Sequence, residues 1–268
     1  LYSINITGNF MKKQLLLRRN RIVLFAVLLS VAFFSSCLKS NDTNTPDTPV
    51  AGLMAFNLAP QQPAVGFQLS GNNLTNAPLS YTSYTGGYLS IYTGARSIAA
   101  FNANTNTILN SLDYTFEKDK YYSLFLVGDT AWQNIVVNDK IDSLSGTDGK
   151  AYIRYINAIA DESTPTVNIS QNGNSLVTQN AAFKNVSDFV AAEPGSVSVS
   201  INNNSNIQAE RIITLEERKV YTVLLLGVPG STDSEKSVQI RYIENGKLSA
   251  DSTGQGVSHV PSSNVKIN

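Results

Sequence analysis

The chain has 268 residues, 42% of them hydrophobic and only 15% charged, with one cysteine, one histidine and a formal net charge of zero. A single thiol excludes disulfides within the chain and zinc sites built on several thiolates, and a single histidine excludes a site built from several imidazoles. The zero net charge conceals a division. Lys12, Lys13, Arg18, Arg19 and Arg21 all precede Cys37 and no acid does, so the remainder carries 15 basic and 20 acidic residues and has no basic footprint for nucleic acid.

Residues 1–10 begin with Leu and read as an upstream extension. From Met11, "MKKQLLLRRNR" forms a basic n-region, and "IVLFAVLLSVAFF" (residues 22–34) forms an apolar run of h-region length, short of a transmembrane helix. Ser35 and Ser36 then lead into Cys37, the only cysteine. Together these features resemble a bacterial lipoprotein signal peptide with a relaxed lipobox, "FSSC", of the looser kind found in Bacteroidetes-type lipoproteins. The resemblance implies cleavage before Cys37 and acylation of its sulfur, which gives a membrane partner through a lipid anchor. Localisation would then be the cell envelope, lipid-anchored to the outer membrane on its periplasmic face or at the cell surface. Residues 37–50, with Pro46 and Pro49 among Thr, Asn and Asp, read as a polar tether.

Beyond the tether the chain repeats itself. "LMAFNLAPQQPAVGFQLSGNNL" parallels "AYIRYINAIADESTPTVNISQNGNSL", each opening with an apolar strand that ends at Asn57 or Asn157. "GYLSIYTGARSIAAF" parallels "DFVAAEPGSVSVSI", with Gly94 opposite Gly195. "LDYTFEKDKYYSLFLVG" parallels "RIITLEERKVYTVLLLG", which sets Lys120, Tyr122 and Gly128 opposite Lys219, Tyr221 and Gly227. Alternating β-branched and aromatic runs predict strands throughout, and no segment past residue 50 carries a helical period with caps. The apolar strands 121–127 and 220–226 are expected to lie centrally and bury both faces. The expected fold is all-β: two tandem Ig-like antiparallel β-sandwich domains, residues 51–146 and 147–250, after a signal peptide and a flexible tether. Residues 138–150, "NDKIDSLSGTDGK", read as a polar hinge, and 251–268 as a tail.

The "RYINA" strand with its Pro-bearing loop, the "PGSVSVSI" hairpin and the "KVYTVLLLG" strand resemble the domain-of-unknown-function 4397 family over residues 51–246. The first copy departs from that pattern, since "MAFNLAP" lacks an arginine where the second has Arg154. The resemblance implies Ig-like modules of exported bacterial proteins. It brings no catalytic residues with it.

Few residues suggest chemistry. His259 lies in the tail without a nucleophile elbow, and the acid pairs Asp161-Glu162 and Glu216-Glu217 fall in predicted turns, where solvated charges are expected. No catalytic residue and no cofactor are assigned. Asp139, Asp142 and Asp148 crowd the hinge and could offer calcium oxygen ligands, although the spacing does not fit a twelve-residue calcium loop. Thr130, Ser143 and Ser252 each follow an aspartate, a pattern used for O-glycosylation in Bacteroidetes. "LSYTSYTGGYLSIYTG" sets Tyr81, Tyr84, Tyr88 and Tyr92 in a Ser/Thr/Gly background. Tyrosine gives broad, stiff contact area, so the run suits a ligand surface for a glycan or an envelope protein. On the alternative reading, Tyr88 and Tyr92 alternate into the core and Tyr81 and Tyr84 pack at its rim. Trp132 is expected to pack with its strand. Three classes of function follow: a non-catalytic binding or spacer element, an accessory scaffold subunit of a surface polysaccharide-uptake or adhesion complex, and, with least support from the residues, a hydrolase.

Overall fold

A computed structural model describes residues 48–250 and two short strands beyond them, Val257–Ser258 and Val265–Lys266. The expected signal peptide, Cys37, most of the expected tether, Ser252 and His259 lie outside the described residues. The first sandwich contains β1 (Val50–Asn57), β2 (Val65–Leu69), β3 (Asn72–Asn73), β4 (Ser83–Tyr84), β5 (Leu89–Tyr92), β6 (Gly94–Asn102), β7 (Thr107–Phe116), β8 (Tyr121–Val127) and β9 (Gln133–Asn138). The second contains β10 (Ala151–Asn157), β11 (Thr166–Gln171), β12 (Asn174–Asn180), β13 (Val190–Ala192), β14 (Gly195–Asn202), β15 (Gln208–Leu215), β16 (Lys219–Leu226) and β17 (Gln239–Leu248). Val257–Ser258 (β18) adds to β17, and Val265–Lys266 (β19) returns to pair with β4 of the first sandwich.

Each sandwich has an outer sheet, β3-β2-β6-β7 or β12-β11-β14-β15, and an inner sheet centred on β1-β8 or β10-β16. Pairing is antiparallel except at those centres. There β1 runs parallel to β8 from Gly52↔Tyr121 to Asn57↔Leu126, and β10 parallel to β16 from Tyr152↔Val220 to Asn157↔Leu225. The cause is connectivity: the chain leaves β1 for the hairpins of the outer sheet and comes back alongside it, and a parallel pair needs such a crossover.

The same local devices recur in both copies. Asn57 Nδ2 donates to the carbonyls of Gln62 (2.8 Å) and Leu79 (3.0 Å), while its Oδ1 accepts the Ala59 N–H (3.2 Å). Asn157 does the same for Ala181 (2.9 Å) and Ile159 (3.1 Å). Each asparagine thus satisfies loop backbone groups that burial would otherwise strand. The hydroxyls of Tyr122 and Tyr221 accept the N–H of Glu117 (3.0 Å) and Glu216 (3.1 Å), a tyrosine corner made twice. Gly128 (φ +109°) and Gly227 (φ +112°) end the central strands, where a Cβ would come within 2.1 Å and 2.3 Å of the carbonyl oxygens of Ala131 and Ser237. No other residue fits there.

Alternation along the central strands feeds two cores. Leu53 and Ala55 of β1 with Tyr122, Leu124 and Leu126 of β8 pack onto the first outer sheet; Ile153, Tyr155, Tyr221, Val223 and Leu225 pack onto the second. The opposite faces, Met54, Phe56, Phe125 and Val127 from one sandwich and Ile156, Leu224, Leu226 and Ile243 from the other, merge into a third core. The two inner sheets therefore stack face to face, giving four layers. Both faces of the central strands are buried because the second sandwich covers the first. Phe56 stacks on Phe125 (4.7 Å between centroids) and on Tyr84 (5.4 Å) inside this shared core.

Residues 138–150 are not a hinge. Asp139 and Ile141 are buried, a 3-10 turn spans Ile141–Ser143, and Ile141 and Leu144 pack with Tyr152, Val220 and Leu248. A side chain at Gly146 would strike the Ser249 carbonyl at 1.8 Å. The polar composition of the segment arises from turns that dock onto the second sandwich. Because the core between the sheets is shared, Leu224→Ala in the second sandwich should cost about 2–5 kcal/mol and lower the urea midpoint read from Trp132 in the first sandwich together with that read from far-ultraviolet dichroism. A Trp132 transition that did not move would mean the sandwiches unfold independently.

Candidate functional site

The shared core contains one charged pair. Arg154, on the interface face of β10, is 2% exposed, and its Nη1 lies 2.7 Å from Oδ1 of the fully buried Asp139. Its Nε donates to Thr222 Oγ1 (3.0 Å) and its Nη2 to Ser123 Oγ (3.0 Å), with Phe189 beneath the guanidinium at 4.4 Å. Asp139 Oδ2 accepts from Ser123 Oγ (2.8 Å) and from Tyr88 Oη (2.6 Å). Asn245 Nδ2 donates to Tyr88 Oη (3.2 Å) and its Oδ1 accepts from Thr222 (2.7 Å). Tyr88, Ser123 and Asp139 come from the first sandwich; Arg154, Thr222 and Asn245 come from the second. The parallel registers place Ser123 where the second copy has Thr222, and Met54 where it has Arg154. The network is a polar lock across two otherwise equivalent faces. A cleft of about 510 Å³ lies over it, and each of the three guanidinium nitrogens already has a protein partner.

This arrangement corrects two expectations. The three aspartates do not converge: Asp139 pairs with Arg154, Asp142 with Lys120, and Asp148 accepts from Tyr152 Oη (2.9 Å). Among the described residues no group of three His, Cys, Asp or Glu side chains could hold a metal ion. The four tyrosines do not form one surface either. Tyr84 is buried against Phe56, and Tyr88 sends its hydroxyl into the lock. Tyr81 is half-buried at the interface, with a hydroxyl that has no hydrogen-bond partner among the described residues. Only Tyr92 points outward, 63% exposed, where the alternative reading placed it in the core. The turn at Gly86–Gly87 breaks the regular period, so even spacing in sequence does not become one face. Trp132 packs half-buried against the first core just ahead of β9, as expected. Thr130 is exposed beside a second interface cleft, and Ser143 is exposed with its hydroxyl donating to the Lys140 carbonyl (2.7 Å). Glu162, Glu216 and Glu217 are exposed, and Asp161 caps its own turn by accepting the Ser163 N–H (2.7 Å).

Tyr92 stands at the edge of a groove of about 660 Å³ in the open end of the first sandwich. Val50, Leu69 and Leu74 form apolar walls; Asn72, Asn73 and Arg96 supply polar groups. Arg96 Nε donates to the Tyr92 carbonyl (3.3 Å), and its guanidinium lies 5.9 Å from the Tyr92 ring centroid. Asn73 Oδ1 accepts from Gln68 Nε2 (3.0 Å). The equivalent end of the second sandwich is shut. There the first hairpin runs two residues further relative to the core register, since Leu69 stands opposite Ile98 but Ile169, opposite Val199, is followed by Ser170 and Gln171. Gln171 bridges to Glu193, just past β13, its Nε2 donating to the Glu193 carbonyl (2.8 Å) and its Oε1 accepting the Glu193 N–H (3.0 Å).

Comparison with known proteins adds a family. The chain matches "Domain of unknown function (DUF4397)" over residues 51–163 and again over 151–256, and it belongs to that family. No curated protein matches it. Among solved structures, a family CBM26 module (CBMbc) from Eubacterium rectale Amy13K in complex with maltoheptaose is 8% identical, with 70% of this chain and 100% of that chain covered and a TM-score of 0.23. A structure described as α-glucan recognition by family 41 carbohydrate-binding modules from streptococcal virulence factors is 10% identical, with 71% and 96% covered and a TM-score of 0.23. At these scores neither likeness bears on what this chain binds.

A buried ion pair deprived of one member leaves an unpaired charge in the core. Asp139→Ala should therefore cost about 3–5 kcal/mol, while Arg154→Met with Asp139→Leu should lie much closer to wild type in urea unfolding. Equal losses in the single and double variants would show that the pair is not the lock.

The tyrosine hydroxyls set an alkaline limit. Burial, with Asp129 and Glu235 adding to it against Arg241, pushes Tyr81 up to about 12; burial and then Asp139 push Tyr88 well above the ordinary tyrosine range. The folded state holds these protons more tightly than the unfolded chain. Their contribution is complete below the unfolded value near pH 10 and falls as pH rises beyond it. Tyrosinate absorbance at 295 nm should show a late fraction that appears only as the fold melts; complete ionisation by pH 12 with dichroism unchanged would contradict this.

Proposed function

We propose that this protein is a non-catalytic, lipid-anchored component of a bacterial cell envelope whose locked pair of sandwiches presents one glycan-binding groove. The observation that carries the reading is Tyr92: an aromatic ring left 63% exposed at the edge of a groove that also offers amide and guanidinium groups. An aromatic face with a few directed polar groups is what a pyranose ring needs, since its C–H face packs on the aromatic and its hydroxyls take the hydrogen bonds. The anchor rests on the basic n-region, the apolar run and the unique Cys37 behind it. The dozen residues from Cys37 to Val50 reach about 40 Å at full extension, and Val50 is itself a wall of the groove. On this reading the ligand lies close to the membrane surface. The locked pair also favours a second role as a rigid scaffold in a larger surface assembly.

Two measurements test the proposal. Radiolabelled palmitate should enter the wild-type protein and not Cys37→Ala; equal labelling removes the anchor. On a glycan array, the wild type should give signals that Tyr92→Ala lowers about tenfold or more, whereas Ile212→Ser, on the outer face of the second sandwich, should leave them unchanged. Signals insensitive to Tyr92 would remove the groove, and a protein silent on the array would leave the scaffold role.

A further inference from the structure

The two sandwiches provide an internal comparison, because the same end is closed in one and open in the other. Resting on the reading of the Tyr92 groove as a glycan site, we infer that the glycan is acidic, with a uronic-acid carboxylate seated on Arg96. Register pairs Gly94 with Phe116 and Gly195 with Leu215, which makes Val197 the counterpart of Arg96. Val197 is 1% exposed and belongs to the second core. Similarly, Ala51 pairs with Ile91 and Ala151 with Ala192, which makes Glu193 the counterpart of Tyr92. At these two positions the closed end holds a buried valine and an acid whose carboxylate is taken by Lys150; the open end holds an arginine and an aromatic ring.

Arg96 is the sole charged side chain lining the groove among the described residues. Its Nε is committed to the Tyr92 carbonyl, and among the described residues it makes no ion pair with a carboxylate. Both Nη groups are left for a planar anion, which a guanidinium fork grips with two parallel hydrogen bonds. The walls of Leu69 and Leu74 lower the local dielectric and strengthen that contact. A neutral glycan would leave this fork without an anion. The competing account is that Arg96 covers the end of the core with its aliphatic stem and extends its charge to water, in which case its charge is irrelevant to binding.

Isothermal titration of the soluble body, residues 38–268, decides between them, with the wild type, Arg96→Gln and Tyr92→Ala each checked by dichroism. The probes are oligomers of galacturonate, glucuronate and mannuronate, each beside its methyl ester, which keeps the skeleton and removes the charge. An acidic oligomer should bind at least tenfold more tightly than its ester. Raising salt from 50 to 500 mM should weaken that binding, and Arg96→Gln should abolish the difference. If esters bind as tightly as acids and Arg96→Gln changes nothing, the acidic preference is overturned while the glycan groove stands. If no oligomer or ester binds, the acidic preference is overturned, and the Tyr92-dependent array signal alone decides whether the glycan groove stands.

Discussion

The guanidinium of Arg154 sits between two sheets, 2% exposed, and a charge buried that deeply is tolerable only when its partners are fixed. Its partners are divided between the sandwiches: Asp139 and Ser123 on one side, Thr222 on the other. Separation of the sheets would leave Arg154 and Asp139 unpaired as well as exposing Phe56, Phe125, Leu224 and Leu226. The apolar area supplies the drive for association, as it does in any core. The ion pair supplies a condition on geometry, because only one registration of the two sheets brings all six polar side chains within bonding distance. The exposed contacts at the rim, Lys140–Asp188 and Lys184–Gln133, add little by comparison.

The lock also gives the repeat its asymmetry. Two copies of one sandwich bring like faces together, and like faces can pair in more than one way, including with a second molecule. Met54 at the position of Arg154 distinguishes the faces, as does Asp139, which only the first sandwich supplies. The first sandwich offers the acid and the second the base, so each face prefers its partner to a copy of itself. Elsewhere the copies retain the same solutions to the same backbone problems, namely the strand-ending asparagines, the tyrosine corners and the glycines after the central strands. Divergence is concentrated at the shared face and at the open end of the first sandwich.

Much of this was legible in the residues. Alternation, the paired glycines and the parallel "LDYTFEKDKYYSLFLVG" and "RIITLEERKVYTVLLLG" segments point to two related all-β units, and the apolar strands 121–127 and 220–226 are central and buried on both faces. What sequence could not convey was the reason for that burial, since a period of two reports that a face is covered and not by what. The parallel pairing of β1 with β8 was likewise hidden, because it follows from a long excursion through another sheet. Asp139 was misread because an aspartate among Asn, Lys, Ser and Gly has the composition of a turn; its partner lies fifteen positions on, and nothing local marks it. Arg154 did stand out, as the residue the first copy lacks. That missing counterpart was the available signal for the lock, since a charge in a fully apolar strand implies a buried partner elsewhere. The open groove had no such signal: it depends on a hairpin two residues shorter relative to its register, and the loops' different lengths obscure that count in the alignment.

Lock and groove bear on each other through β1. Its first residue, Val50, lines the groove, and the same strand carries Met54 and Phe56 into the shared core. Thr93, one residue beyond Tyr92, donates its N–H and its hydroxyl to the Pro49 carbonyl, both at 3.3 Å, so the chain just ahead of β1 is fastened to the groove's edge. The groove's edge at Val50 is therefore continuous, along β1, with the layer that the second sandwich clamps. With both neighbouring layers packed on β1, the strand cannot shift without opening one core or the other. The second sandwich, whose own corresponding end is shut, acts as the buttress that keeps the open one in shape.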